Sequence, residues 1–428
     1  MIKLNLKYAK IANKIQKYQS QIDNIHQMII NRTGKGNEML DWYDWAKKIT
    51  NTEINAINFK IKNLKTIHKI DTLLVIGIGG SYLGSKAGID FIKGSIRSNN
   101  KIIFTGINIS GSHYKQIEEK LENKKWAICV ISKSGKTIEP AIAFRHFSKL
   151  LEKRVGKAKM KDLITVVTDQ KEGLLNNFVN KYGYQKFVIP NGIGGRFSAI
   201  TSVGLFPMAF VGIDIKKFLD GVKKAMNDFS SNKLKDNIAY QYAVARFIFY
   251  KKWNLTSEIF VTYNEDLIML GEWLKQLFGE SEGKEGKGLF PNAVTYTRDL
   301  HSLGQFIQEG KKTFFETIIW NENREEDIKI VKDDDNLDNL NYLEGKTIDY
   351  INKQALRGVL KAHTEDGNIA NIIISFKKND EYTLGYLWYF FFISVTCSGY
   401  LLKINPFNQP GVEIYKKNLN KNLKVNNN

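Results

Sequence analysis

Between residues 73 and 189 the chain repeats one pattern: a short apolar run followed by a segment of helix length. The runs fall at residues 73–78, 102–105, 127–131, 164–167 and 187–189, and none alternates with polar residues. A strand with one wet face alternates; a run without alternation has both faces covered, as in a parallel sheet with helices on either side. The pattern therefore predicts a doubly wound α/β domain over 61–200. A second set at 259–263, 314–319 and 369–376, again with long helical stretches between, predicts another α/β domain over 201–410. The first 60 residues read as a helical segment, with Leu4, Ile11, Ile15, Tyr18, Ile22 and Ile25 on one face at helical spacing. Residues 411–428 read as a C-terminal helix and tail. With 428 residues, two domains can each bury a core.

Two cysteines, Cys129 and Cys397, lie far apart and without metal-type spacing, which argues against a disulfide framework and for a reducing, cytoplasmic setting. The lysine-studded start has no apolar run ending in a small-residue cleavage site, so no secretory signal is expected. Residues 384–402 carry no charge over a length that meets the criterion for a membrane span. The run stands alone, contains Gly, Ser and Thr, and leads into a Pro/Gln/Asn-rich loop; it is read as an all-round apolar core helix, with no membrane partner expected. The net charge of +19 comes from lysines spread along the whole chain, with no arginine-rich block, zinc knuckle or helix-turn-helix signal. It is read as compositional drift, with no specific nucleic-acid partner, though such a field attracts phosphorylated ligands.

Two strand-end loops carry chemistry. In LLVIGIGGSYLGSKAG (73–88), a buried strand ends in Gly77, Gly79 and Gly80, and a helix follows. Glycines let backbone approach an anion, and a helix N-terminus offers free N–H groups and a positive dipole end. The dinucleotide fingerprint fails because Tyr82 occupies its last glycine position, and a nucleotide P-loop fails because Ser85 replaces its lysine. In ICVISKSGKTIEPA (128–141), Ser132, Lys133, Ser134, Gly135, Lys136 and Thr137 separate a strand from a helix. Val130 stands where a P-loop needs glycine. Both loops leave the carboxyl ends of parallel strands, the edge where open α/β sheets bind ligands, so together they predict a small-phosphate pocket.

GIGGSYLG and SKSGKTIE resemble the sugar isomerase domain, which binds phosphosugars. NGIGGRFSAITSVGL (191–205) and NPFNQPGVEIYKK (405–417) resemble the two signatures of the glucose-6-phosphate isomerase family. GESEGKEGKGLFP (279–291) and HSLGQFIQEGKK (301–312) are similar to further family segments in the expected order. The resemblance covers residues ~70 to 417. It implies two doubly wound, sugar-isomerase-type domains with parallel-sheet cores, plus helical N- and C-terminal segments. It also implies reversible conversion of glucose 6-phosphate to fructose 6-phosphate, a step of glycolysis and gluconeogenesis, through ring opening and a cis-enediol.

That chemistry needs a carboxylate base, a cation or donors on the oxygen that gains charge, and an acid/base for the ring; it needs no cofactor or metal. The six histidines include no HxxxH or HxH pair. For the base, residue chemistry leaves Glu280 and Glu282 equivalent, two apart in what reads as a glycine-flanked loop. The resemblance selects Glu280. By the same resemblance His301 assists ring opening from the neighbouring subunit, which implies a homodimer with a shared site, and Lys416 joins in ring opening. Arg196, directly after two glycines, is placed to approach a ligand and stabilise an enediolate. The match puts Ser81, Ser132, the Lys133 backbone, Ser134 and Thr137 in the phosphate cradle, Gln409, Gly80 and Gly195 along the substrate, and Glu139 in support near Lys416. Asn408 departs from the family pattern, which usually has Asp there. The remaining alternatives are an isomerase that also accepts mannose 6-phosphate and a non-catalytic phosphosugar sensor.

Overall fold

The computed structural model describes residues 2–98, 101–323 and 326–425. Its strands are β1 Lys3–Asn5, β2 Thr72–Ile76, β3 Ile102–Thr105, β4 Trp126–Ile131, β5 Ile164–Thr168, β6 Gln185–Val188, β7 Ser257–Thr262, β8 Phe290–Thr295, β9 Phe314–Asn321 and β10 Asn371–Phe376. They form two five-stranded sheets. The first runs β3-β2-β4-β5-β6 with every pair parallel. All residues of β2, β3, β4 and β5 are buried, which is why these runs do not alternate. The chain steps from β2 to β3 on one side and then crosses to β4 on the other. The loops after β2 and β4 therefore diverge at a switch point and open a crevice at the carboxyl edge.

The second sheet runs β1-β10-β9-β7-β8. Its pairs are parallel except β1, which lies antiparallel on β10 with Leu4 opposite Ile374. Two elements differ from expectation. Residues 3–5 are a strand rather than the start of a helix, because the free edge of β10 supplies backbone partners that outweigh local spacing. β8 was not legible as a strand: FPNAVT contains Pro and Asn and lacks an apolar run. It pairs only with β7, and such an edge tolerates proline. In the rest of the N-terminal segment, Ile11, Ile15, Ile22 and Ile25 are buried as the helical pattern requires. The boundary expected near residue 60 falls inside the helix Asn51–Thr66. The C-terminal segment is the helix Pro410–Val425; residues 426–428 of the expected tail lie outside the described residues.

The uncharged run forms most of the helix Glu381–Leu401, in which every residue from Thr383 onward is buried within the protein. Two glycines let its backbone touch a neighbour. A Cβ on Gly385 would lie 2.0 Å from Phe218 O, and one on Gly221 would lie 2.0 Å from Tyr382 O. Helix Ile215–Asp228 thus crosses at backbone contact. On another face, Trp388 stacks on Trp273 of the helix Ile268–Glu282, with centroids 4.4 Å apart and an interplanar angle of 9°. This long, buried helix therefore fixes the helix whose C-terminal end builds the site.

Candidate active site

At the crevice of the first sheet lies a cleft of about 610 Å³, within the range of small-molecule sites. One wall is the loop after β2, a single 3-10 turn Gly79–Ser81 leading into helix Leu83–Lys93. Gly80 is required there by contact: a Cβ would lie 2.1 Å from Gly195 O and 2.8 Å from Arg196 N. Two glycine loops, 115 residues apart in sequence, thus press backbone to backbone and set the position of Arg196.

The loop after β4 makes the facing cradle. Ser132 Oγ accepts from Gly135 N–H at 3.0 Å, and Ser134 Oγ accepts from Lys136 N–H at 3.2 Å. Each hydroxyl keeps its own O–H to donate to an anion. Gly135 takes the left-handed conformation, φ 66°, that turns the loop. Thr137 precedes helix Ile138–Val155 without making a side-chain capping bond, and it lines the cleft with Ser132 and Ser134. From the end of β5, Thr168 Oγ1 donates to Ser132 O (2.8 Å) and Lys133 O (3.2 Å) and anchors the loop. Lys133 turns its ammonium onto Asn191 O at 2.9 Å, and burial pulls its pKa below the ordinary lysine value. Its ammonium is thus engaged by the 190–191 turn, and its carbonyl is held by Thr168.

Arg196 is almost fully buried, and its guanidinium is held in a fan of hydrogen bonds. Nε donates to Ser281 Oγ (2.8 Å), Nη1 to Gln409 Oε1 (2.7 Å) and Glu280 Oε2 (3.2 Å), and Nη2 to Pro406 O (2.7 Å). Burial lowers its pKa, opposed by Glu280, whose carboxylate favours the charged form. Gln276, one turn earlier on the same helix, donates from Nε2 to Glu280 Oε1 at 3.1 Å. Gln276 Oε1 is buried and has no partner among the described residues, an acceptor left for a ligand donor.

The structure separates the two glutamates that residue chemistry could not. Neither lies in a loop: both belong to the last turn of helix Ile268–Glu282, because the buried face Trp273, Leu274, Leu277, Phe278 and Ser281 carries the helix that far. Glu280 faces the cleft with 29% of its side chain exposed. Glu282 is 1% exposed and is bound by Arg246, which also bonds Glu258 Oε2 at 2.7 Å and Ser398 Oγ at 2.8 Å. Glu282 belongs to a buried ion network and has no access to a ligand.

Helix Pro410–Val425 closes the cleft with Lys416, whose ammonium bonds Glu413 Oε1 at 2.8 Å, and Glu139 lies on the same cleft wall. Of the residues singled out from sequence, Gly80, Ser81, Ser132, Lys133, Ser134, Thr137, Glu139, Gly195, Arg196, Glu280, Gln409 and Lys416 all line this one cleft. His301 does not; it is exposed on helix Leu300–Glu309, after β8. Sequence reading missed Gln276, whose spacing of four from Glu280 was the available signal. It also missed Asp169 and Glu172 in the turn after β5, a third strand end at the same edge. Among the described residues no cluster of three or more His, Cys, Asp or Glu is arranged to hold a metal.

Two sheets, parallel but for the edge strand β1, with a hydroxyl-rich loop at the switch point and a carboxylate–guanidinium pair on the facing wall define an α/β protein of the sugar isomerase type. Residues 39–428 match the sequence profile of the Phosphoglucose isomerase family, and the chain belongs to that family. A glucose-6-phosphate isomerase of Mycoplasmopsis pulmonis is 48% identical over 424 residues, covering 99% of this chain and 99% of its own. A structure from Thermus thermophilus, described as a hypothetical protein, superposes with a TM-score of 0.89 at 26% identity, covering 99% of this chain and 100% of that one. A glucose-6-phosphate isomerase from Chlamydia trachomatis has the same fold, with a TM-score of 0.78 at 20% identity over 97% and 86% of the two chains.

Proposed function

We propose that the chain reversibly converts D-glucose 6-phosphate to D-fructose 6-phosphate in the cytoplasm, serving glycolysis and gluconeogenesis. The observation that carries the reading is the pairing of Glu280 with Arg196 on one wall of a cleft whose other wall offers hydroxyls and a helix N-terminus to a phosphate. With the phosphate on Ser81, Ser132, Ser134 and Thr137, the sugar extends toward Glu280. In the open-chain aldose Glu280 takes the proton from C2. The C–H electrons form the C1=C2 bond of a cis-enediolate, and negative charge passes to O1. Arg196, fixed and water-poor, faces that charge. Transfer of the O2 proton to O1 and return of the Glu280 proton to C1 complete the ketose, so atoms and electrons balance within the sugar and the carboxylate.

Ring opening needs a second acid/base, assigned to Lys416 with Glu139 near it and to His301. Since His301 lies outside its own chain's cleft, this assignment requires His301 of a second copy, and the active unit is a homodimer with shared sites. Residues 61–200 and 201–410 are taken as its two α/β units. The direct test is conversion of fructose 6-phosphate by the purified chain, coupled to glucose-6-phosphate dehydrogenase. Turnover unaffected by EDTA is expected; a folded protein that binds the sugar phosphate without turning it over would be a sensor instead.

A further inference from the structure

The phosphate loop has a cavity on each side. Ser134, Lys136 and Thr137 line the active cleft, whereas Gly135 between them lines a second cleft of about 670 Å³. The turn after β5 is shared in the same way: Glu172 and Gly173 face the active cleft, and Leu174 and Leu175 face the other. The two loops form a thin wall. Leu174 N–H donates to Ser134 O at 3.0 Å, and a Cβ on Gly173 would lie 2.7 Å from Lys133 O.

The lining of this second cleft is divided. One part is aromatic: Phe144 meets Phe178 edge-on at 5.3 Å, and Tyr182 stacks on Tyr184 at 5.5 Å with an interplanar angle of 24°. Phe178 remains 39% exposed, so a flat surface is open to a ligand. The other part is cationic. Arg145 and Lys149, one turn apart on helix Ile138–Val155, are joined by Lys157 and Lys161 from the next helix, against Glu152 alone. Among the described residues, none of these four cations has a carboxylate within ion-pair distance. Lys157 lies over the Tyr182 ring, 5.9 Å from its centroid, and Arg145 and Lys149 share the cleft with the exposed Phe178 ring. Such a lining asks for a ligand that is both planar and anionic; inorganic phosphate would use only the cations and an apolar ligand only the rings. The volume suits a molecule of nucleotide size.

We propose that this cleft is a binding site for nucleoside phosphates, separate from the active cleft, with the base against the exposed Phe178 ring and the phosphates on Arg145 and Lys149. The test is calorimetric titration of the full chain with ADP while the active cleft is kept saturated by an equilibrium mixture of glucose 6-phosphate and fructose 6-phosphate. Saturable binding is expected to persist under the sugar phosphates. It should weaken by at least about tenfold in Arg145→Ala/Lys149→Ala, since each substitution removes a charge-assisted bond. Phe178→Ala should weaken it too, while Arg145→Ala/Lys149→Ala leaves basal isomerase turnover unchanged. All three substitutions are at exposed positions and leave the buried core untouched. Absence of binding, displacement by the sugar phosphates, or equal affinity in the Arg145→Ala/Lys149→Ala variant would each overturn the proposal.

Discussion

Glu280 and Glu282 leave the same helix terminus in different directions, Glu280 into the cleft beside Arg196 and Glu282 into the buried pair with Arg246. Two residues apart on a helix is a turn of about 200° around its axis, so neighbouring carboxylates are sent to opposite environments. The Trp273–Trp388 stack and the buried face of the helix fix which is which.

That division predicts two different phenotypes. Glu282→Gln breaks a buried ion pair while leaving Arg246 charged, and should cost about 3 kcal/mol of stability. Chemical denaturation of the variant measures the loss. Stability within experimental error of the parent protein would show that Arg246 is satisfied by Glu258 and Ser398 alone.

Arg196→Lys should be far from conservative. The guanidinium reaches Ser281, Glu280, Gln409 and Pro406 together, and an ammonium cannot span that fan. Steady-state kinetics should show kcat reduced by roughly 10²–10³, the scale for losing a preorganised donor to developing negative charge. A change within threefold would remove Arg196 from its assigned role.

Lys284 gives the fold a pH signature. Its ammonium bonds Ser281 O (3.0 Å) and Asn405 O (2.5 Å); burial, and then repulsion from Arg196, depress its pKa to about 7, against the pull of Glu280, Glu282 and Glu285. The unfolded chain holds that proton up to an ordinary value of 10.5, so between about pH 7 and 10.5 the unfolded state binds more protons than the folded one. This group's contribution to stability therefore rises with pH across that window and is flat below it. Urea midpoints of the parent and of Lys284→Met should diverge in the parent's favour as pH climbs from 7 to 10. A difference that stays constant or moves in the variant's favour would contradict the assignment.

The shared-site reading predicts complementation. Glu280→Gln and His301→Ala chains, each inactive alone, should recover activity on mixing, because a heterodimer carries one site with both residues intact. Native mass spectrometry verifies subunit exchange; verified exchange without recovered turnover would count against a site shared between subunits.

Much of the fold and of the site is legible in the sequence, and unevenly. The strands of the first sheet announced themselves because burial on both faces leaves continuous apolar runs, and their loops carried Gly80, Ser132 and Thr137 to one edge. β8 was hidden because an edge strand with Pro291 needs no such run. β1 was hidden because three residues gain their conformation from a partner, β10, that lies 366 residues further along the chain. Within the site, the family resemblance supplied Glu280, and the helix geometry supplies the reason Glu282 is a different kind of residue. Gln276 and the turn at Asp169 carried no motif; only packing brings them to the cleft.

The central claim is that Glu280 is the base of an isomerase. Its most direct test is Glu280→Gln, with turnover of fructose 6-phosphate and calorimetric binding of the sugar phosphate measured on the same preparation. The account predicts turnover lower by roughly 10³ or more with affinity changed only a few-fold, because the carboxylate acts in proton transfer and the cradle is untouched. Turnover like that of the parent protein would contradict it.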